Sequence, residues 1–194
     1  MRNVLLTCYI FCFFTVKAQT GVDKFDLRVL QKIETTRSEN QTRILKGISD
    51  ANNYVNLAVP AGLLIGGIID QNKDMRQNAF YIASSTASTA ILNFALKAIF
   101  KRPRPFLVHI SLTPITRPSQ YSFPSGHTSA SFSTATALTM AYPKWYVAAP
   151  SFIWASTVGY SRMYLGVHNP SDVAAGALLG AGTAIGFGFI RPKD

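Results

Sequence analysis

The sequence predicts an all-α protein: an antiparallel bundle of about five core helices, preceded by one amphipathic helix. Two observations predict this class. Of the 194 residues, 48% are hydrophobic and only 14% are charged, against roughly 25% charged residues in an average soluble domain. The apolar residues also gather into long stretches without charge, as expected of helices buried in lipid or in a large core.

Five charge-free runs follow one another after residue 50, and several of them are joined by short polar connections. Short connections make successive helices antiparallel, so the polar motifs fall at one end of the bundle. Gly-x3-Gly spacings starting at Gly62, Gly176 and Gly182 would let membrane helices approach closely. Because the runs contain much Ser, Thr, Ala and Gly, a soluble helical core stays open as the alternative. The runs cover residues 51–69, 77–96, 128–143, 145–160 and 173–190.

The chain before the bundle divides into two parts. Residues 1–18 have a positively charged start, a short apolar middle and small residues at the end. This pattern predicts a secretory signal peptide, with an uncleaved anchor as the alternative. Both cysteines lie in this segment, so neither a disulfide nor a thiolate metal site is expected beyond it. Residues 19–48 are predicted to form an amphipathic helical segment whose role is open, and residues 49–194 form the bundle domain.

The net charge of +10 predicts an anionic partner, but not a nucleic acid. Nucleic-acid-binding proteins array basic residues along one face with aromatic residues between them, whereas here several basic residues stand beside the polar motifs. Other basic residues fall at the opposite end of the bundle, as the positive-inside tendency expects of a cytoplasmic face. The motif end would then face the periplasm of a bacterial inner membrane. The residues at the opposite end are Lys73, Arg76, Lys144, Arg191 and Lys193.

A histidine and an aspartate bracket the start of the last apolar run. His168 and Asp172 stand on either side of an Asn-Pro break, and proline favours first helical positions while aspartate favours first turns. Asp172 is therefore predicted to open a helix, with His168 just ahead of it. A carboxylate there can accept a hydrogen bond from one imidazole nitrogen and leave the other free to attack. His168 is the candidate nucleophile.

Two further motifs lie at the same predicted end. Lys97 and Arg104 lie at the end of the helix predicted over residues 77–96. A lysine supplies a point charge, and an arginine can hold two phosphate oxygens at once. Ser125 and Gly126 precede or open the next helix, whose first N–H groups point toward an anion and whose glycine permits close backbone approach. His127 follows in the same turn and can donate a proton to a leaving oxygen.

In order and spacing, these motifs resemble the type 2 phosphatidic acid phosphatase and vanadium haloperoxidase superfamily. Its signature is Lys-x6-Arg-Pro, Pro-Ser-Gly-His and Ser-Arg-x5-His-x3-Asp, and all three parts are complete here. The resemblance implies that His168 forms a phosphohistidine, Asp172 holds its ring and His127 protonates the leaving oxygen. It also implies no metal and no cofactor, and no acidic cluster suited to Mg²⁺ stands near the motifs. The phosphate-binding residues it implies are Lys97, Arg104, Ser125, Gly126 and Arg162.

The residues in and around the motifs resemble those of the bacterial lipid-phosphatase branch. This resemblance implies a membrane-embedded phosphatase with a periplasmic site. The substrates implied are polyprenyl diphosphate, phosphatidylglycerol phosphate, phosphatidate or a lipid A phosphate. The motif residues do not discriminate among these four. A soluble periplasmic acid phosphatase of the same superfamily is the main alternative. Vanadate-dependent halide oxidation ranks low for so short a chain. A non-catalytic lipid binder or transporter does not explain the complete set of acid, nucleophile and orienting groups.

Overall fold

The computed structural model describes residues 21–192, and these residues form helices and loops without a β-strand. The predicted all-α bundle is confirmed, while the predicted signal peptide at residues 1–18 lies outside the described residues. The first helix, α1, covers residues 21–35 of the described chain. The others are α2 (Glu39–Ile69), α3 (Lys73–Phe100), α4 (Pro105–Val108), α5 (Gly126–Ala141), α6 (Trp145–Tyr164) and α7 (Pro170–Gly186), followed by a 3₁₀ turn at Gly188–Ile190.

A corner divides the segment that was predicted as one amphipathic helix. α1 ends at residue 35, and α2 begins at Glu39 because Ser38, in an extended conformation, accepts a hydrogen bond from the backbone N–H of Gln41. Such an N-cap satisfies one of the free donors at a helix start. α2 then continues to Ile69 without interruption, so the predicted boundary between residues 48 and 49 falls inside a helix.

The corner between α1 and α2 is tied to the end of the bundle where α6 stops. Arg37 donates hydrogen bonds to the backbone carbonyls of Tyr164 at 2.9 Å and Thr113 at 2.6 Å. The Glu34 carboxylate accepts a hydrogen bond from the backbone N–H of Thr113 at 2.9 Å. The first helix is therefore held at the same end of the molecule as the polar motifs.

The helix α5 lies at the centre of the bundle and packs against α2, α3, α6 and α7. Several of its buried hydroxyl groups pair with neighbouring helices, which lowers the cost of burying them. Thr89 of α3 donates to the Ser133 hydroxyl at 3.0 Å, and the Ser131 hydroxyl donates to Asn52 of α2 at 2.6 Å. The modest hydropathy of the chain therefore reflects a polar interior. The buried hydroxyl residues of α5 are Thr128, Ser129, Ser131, Ser133, Thr134 and Thr136.

Two glycines let α7 lie directly on the backbone of α5. A Cβ atom at Gly176 would stand 2.7 Å from the Ser125 carbonyl oxygen, and one at Gly180 would overlap the Ser129 carbonyl oxygen. The glycines of the other two predicted Gly-x3-Gly spacings meet open space or a flexible side chain. The close contact places the first turn of α7 beside the first turn of α5.

Three helical stretches are long and apolar enough to cross a membrane: Glu39–Ile69, Lys73–Val108 and Pro170–Ile190. Large apolar side chains also point outward from them, as lipid contact requires. These features support a membrane protein and do not favour the soluble alternative. Five spanning runs were predicted; α5 is only 16 residues long and is enclosed by the other helices. Examples of the outward side chains are Ile65, Ile69, Phe94, Ile99 and Leu178.

Replacing Gly180 by alanine is expected to destabilise the bundle by about 1 to 3 kcal/mol, the usual cost of overpacking a close contact. The added Cβ would press against a backbone carbonyl, which cannot rotate away. The matched control is Gly182→Ala, where a Cβ meets nothing within 4 Å and helix propensity alone should stabilise slightly. Thermal unfolding of both variants in detergent checks this; equal melting temperatures would contradict the close contact.

Candidate active site

The predicted site residues come from five segments that meet at one end of the bundle. Lys97 lies in the last turn of α3 and Arg162 in the last turn of α6. Arg104 precedes α4, and Ser125 to His127 open α5. His168 and Asp172 lie just before and within the first turn of α7. Direct contacts join Arg104, His168, Asp172 and the Ser125 backbone, whereas Lys97 and Arg162 are anchored to neighbouring segments.

The imidazole of His168 lies between Arg104 and Asp172. Its Nε2 is 3.2 Å from Arg104 Nη1, and its Nδ1 is 3.6 Å from Asp172 Oδ2. Because a guanidinium group can only donate, Nε2 accepts and carries the free electron pair. Nδ1 then carries the proton and faces the carboxylate, at a distance that a shift of roughly half an ångström would close to a hydrogen bond. This orientation is compatible with the role of nucleophile, which stays a prediction for His168.

The carboxylate of Asp172 is fully buried and fixed from three sides. Oδ2 accepts hydrogen bonds from the Ser122 hydroxyl and from the backbone N–H of Asn169, the latter at 2.8 Å. Oδ1 accepts a hydrogen bond from Arg102 Nη1 at 2.7 Å. With Asn169 as N-cap, Asp172 completes a capping box at the start of α7. The orientation of the carboxylate is thus determined before it meets His168.

Lys97 and Arg104 are both buried and face the same loop. Lys97 Nζ donates to the carbonyls of Tyr121 at 2.6 Å and Ser122 at 3.3 Å. Arg104 Nε donates to the carbonyl of Gln120 at 2.7 Å. The loop before α5 therefore sets the positions of two cationic groups, one of which also reaches His168.

Arg162 is buried at the end of α6 and is held by α2. Its Nη1 donates to the hydroxyl of Ser49. Its Nε is buried and has no hydrogen-bond partner within the described chain. An unpaired buried donor costs free energy, and an anionic oxygen at this position would satisfy it.

The first turn of α5 is positioned by its contact with α7. The backbone N–H of Ser125 donates to the Asp172 carbonyl at 3.0 Å, and the Ser125 hydroxyl pairs with the Thr128 hydroxyl at 2.8 Å. Gly126 is the first residue of the helix, whose positive end is favourable for an anion. His127, the second residue of the helix, is half-buried.

Burial lowers the pKa of His168 to about 3, although the neighbouring Asp172 carboxylate acts in the opposite direction. The imidazole is therefore neutral at pH 7, as a nucleophile must be. Among residues 21–192, no three His, Cys, Asp or Glu side chains converge on a position suited to a metal ion. Metal independence stays a prediction.

Sequence reasoning missed Ser49, Arg102 and Ser122, which contact predicted residues, and Asp26, which contacts Arg102. Arg102 and Ser122 stand beside the motifs, so their proximity was a usable signal. Asp26 and Ser49 lie 145 and 113 residues from their partners, Ser171 and Arg162, in the last motif. No local pattern relates them to the site.

A sequence model of the PAP2 superfamily matches residues 78–192, the part of the chain that holds all eight predicted site residues. Undecaprenyl-diphosphatase BcrC of Bacillus subtilis (strain 168) is 31% identical over 123 residues, which are 63% of this chain and 62% of that protein. Undecaprenyl-diphosphatase of Sulfolobus acidocaldarius is 34% identical over 148 residues, covering 73% of this chain and 68% of the relative. Lipid A 4'-phosphatase of Bacteroides thetaiotaomicron is 38% identical over 73 residues, 38% of this chain and 32% of the relative.

Two crystal structures share the fold. LpxE of Aquifex aeolicus superposes with a TM-score of 0.68 at 27% identity, over 84% of this chain and 94% of that one. A transmembrane PAP2 type phosphatidylglycerolphosphate phosphatase of Bacillus subtilis superposes with a TM-score of 0.72 over 93% and 92% of the two chains. The second likeness, at 23% identity, concerns the fold alone.

The stability of the protein is expected to fall as the pH drops from about 6.5 toward 4, in part through His168. The ordinary histidine pKa is about 6.5, so below that value the unfolded chain takes up a proton that the folded chain, with a pKa of about 3, does not. One such group removes up to about 1.4 kcal/mol per pH unit in this window. Melting temperatures across this range should fall more steeply for wild type than for His168→Gln; parallel slopes would contradict the buried neutral imidazole.

Proposed function

The chain belongs to the PAP2 superfamily, and we propose that it is a membrane phosphatase that removes phosphate from lipid phosphate monoesters or diphosphates. The relatives described above are named phosphatases and diphosphatases, so the predicted class of enzyme is confirmed at the level of the family. The observation that supports the mechanism most directly is the orientation of His168. Its unprotonated Nε2 faces Arg104 while its Nδ1 faces a buried carboxylate.

The proposed reaction proceeds in two displacements at phosphorus. In the first, His168 Nε2 forms a bond to phosphorus as the bond to the leaving oxygen breaks, and His127 gives its proton to that oxygen. The leaving oxygen belongs to the lipid alcohol in a monoester and to the lipid monophosphate in a diphosphate. In the second, a water molecule attacks the phosphohistidine, the P–N bond breaks, and His127 takes the proton from the water. Asp172 stabilises the positive charge that His168 carries between the two steps.

Five groups are proposed to bind the phosphate oxygens, whose negative charge is held in the transition state. The two arginines are favoured by their hydrogen bonds: Arg104 already donates toward the attacking nitrogen, and Arg162 has a buried donor without a protein partner in the described chain. The start of α5 adds backbone donors at its positive end. The full proposed set is Lys97, Arg104, Ser125, Gly126 and Arg162.

The lipid nature of the substrate is supported by the surface around the site. Apolar side chains of α4 and the residues after it are exposed at this end of the bundle, including Ile110, which is 99% exposed. A lipid whose phosphate lies at the membrane surface could contact them with its chain. Two undecaprenyl-diphosphatases among the relatives make a polyprenyl diphosphate the first candidate, ahead of phosphatidylglycerol phosphate, phosphatidate and lipid A phosphates.

A periplasmic orientation of the site in the bacterial inner membrane is part of the proposal. It is supported by the course of the chain, because the opposite end of the bundle carries basic residues as cytoplasmic ends do. There Gln77 donates to the Ile190 carbonyl and Arg191 to the Met140 carbonyl, so the basic residues near positions 76 and 191 lie together at that end.

Purified protein in detergent, with EDTA present, is expected to release phosphate from at least one lipid of a panel containing those four classes. His168→Ala should abolish turnover and the acid-labile phosphoprotein formed with radiolabelled substrate, because the attacking nitrogen is gone. His109→Ala is the matched control, since this loop histidine makes none of the site contacts described above. Soluble phosphate esters as the preferred substrates would contradict the lipid assignment, and activity restored to an EDTA-treated sample only by Mg²⁺ would contradict the metal-free mechanism.

His127→Ala is expected to slow hydrolysis of alkyl phosphates by roughly 10²- to 10⁴-fold, the usual contribution of a general acid. Hydrolysis of nitrophenyl phosphate should slow much less, because its leaving oxygen departs without a proton. Turnover of the two ester types by wild type and variant measures the difference. Equal losses on both would remove His127 from the acid role.

A further inference from the structure

The helix α1 has no role in the mechanism above, although one of its carboxylates is almost fully buried against the site. Asp26 is only 1% exposed. Its Oδ1 accepts a hydrogen bond from the backbone N–H of Ser171 at 3.0 Å, and its Oδ2 accepts from the Ser171 hydroxyl. Because Pro170 has no N–H and Asn169 and Asp172 cap each other, Ser171 carries a free donor at the start of α7. Asp26 supplies the acceptor for it.

Arg102 connects this carboxylate to the site. Its Nη2 donates to Asp26 Oδ2 at 3.0 Å and to Asp23 Oδ1 at 3.1 Å. Its Nη1 donates to Asp172 Oδ1 at 2.7 Å and to the Ser171 hydroxyl at 2.7 Å. The guanidinium group is planar and its donors have fixed directions, so the acceptors on one side determine where the other side points. A continuous chain of contacts therefore runs from α1 through Arg102 and Asp172 to His168.

We propose that Asp26 and Arg102 are positioning residues for the reaction, and that α1 completes the active site from outside the motif-bearing helices. Asp26 fixes the plane of the Arg102 guanidinium group. Arg102 in turn fixes Asp172, so that Oδ2 faces His168 Nδ1 while Oδ1 is occupied. This inference rests on the proposed function, because it assigns a role in orienting the nucleophile.

A positioning role and a purely structural role predict different kinetics. If Asp26 acts through Arg102, losing either residue misorients Asp172 and His168 and lowers kcat, while the phosphate-binding groups and hence KM are little affected. The losses of kcat in the two single variants should not multiply in the double variant, because the second substitution removes a contact that the first has already made ineffective. Two residues that only stabilise the fold would instead lower melting temperature and active fraction independently.

The experiment compares Asp26→Ala, Arg102→Ala and the double variant in detergent, on a lipid phosphate that wild type hydrolyses in the panel above. We expect kcat to fall about 10- to 100-fold in each single variant with KM within about threefold, and the double variant to lose clearly less than the product of the single losses. Millimolar guanidinium ion should partly restore kcat of Arg102→Ala. Arg102 lines an open cavity of about 910 Å³, through which a small cation can reach the vacated position.

The matched control is Asp23→Asn, which removes the other carboxylate at Arg102 Nη2. Its side chain is 60% exposed and water screens it, so a loss below threefold is expected. If Asp26→Ala aggregates, Asp26→Asn is assayed instead: it keeps the size of the side chain but loses the charge and one of the two oxygens that accept from Arg102 and Ser171, so a loss of kcat is again expected. Full kcat in the Asp26 variant, or additive losses without guanidinium rescue, would overturn the positioning role. A wild type inactive on every lipid phosphate would overturn the proposed function itself.

Discussion

The burial of one carboxylate, that of Asp172, is the constraint on which the site depends. A charge removed from water is stable only when it is paired and hydrogen-bonded, and this carboxylate is fully buried. It accepts hydrogen bonds from a hydroxyl in the loop before α5, from a backbone N–H at its own helix start and from a guanidinium group in the connection just after α3. Each partner belongs to a different segment, so satisfying the charge brings the loop, α3 and α7 together around His168.

The same end of the bundle is supported by close backbone packing. Gly176 and Gly180 let α7 rest on carbonyls of α5, and the Ser125 N–H reaches the Asp172 carbonyl. The interior behind this contact contains many buried Ser, Thr and Asn side chains, several of which pair across helices. The composition alone left a membrane bundle and a soluble helical core open. A polar interior enclosed by apolar outer helices explains the modest hydropathy of a membrane bundle, because its central helix does not face lipid.

The sequence was informative where residues act through local spacing. The three motifs place Lys97, Arg104, His168 and Asp172 at helix ends. Helix ends can be recognised in a sequence from prolines, capping residues and breaks in apolar runs. The corner after α1 was missed although Ser38 and Gln41 have capping-box spacing, because the surrounding charge pattern continues through it. Asp26 could not have been found, since its partners are 76 and 145 residues away and only the packing of α1 brings them together.

The contact between Arg104 and His168 relates binding to reactivity in the proposed mechanism. At 3.2 Å, Arg104 Nη1 donates toward the electron pair of Nε2, the pair that must attack phosphorus. An anionic phosphate oxygen is a better acceptor for a guanidinium donor than a neutral imidazole nitrogen. When phosphate binds, the Arg104 N–H would therefore donate to a phosphate oxygen and no longer to Nε2. The electron pair of Nε2 would then be free to attack. Arg104 would protect the nucleophile until substrate is bound, and the event that positions the phosphate would also make His168 reactive.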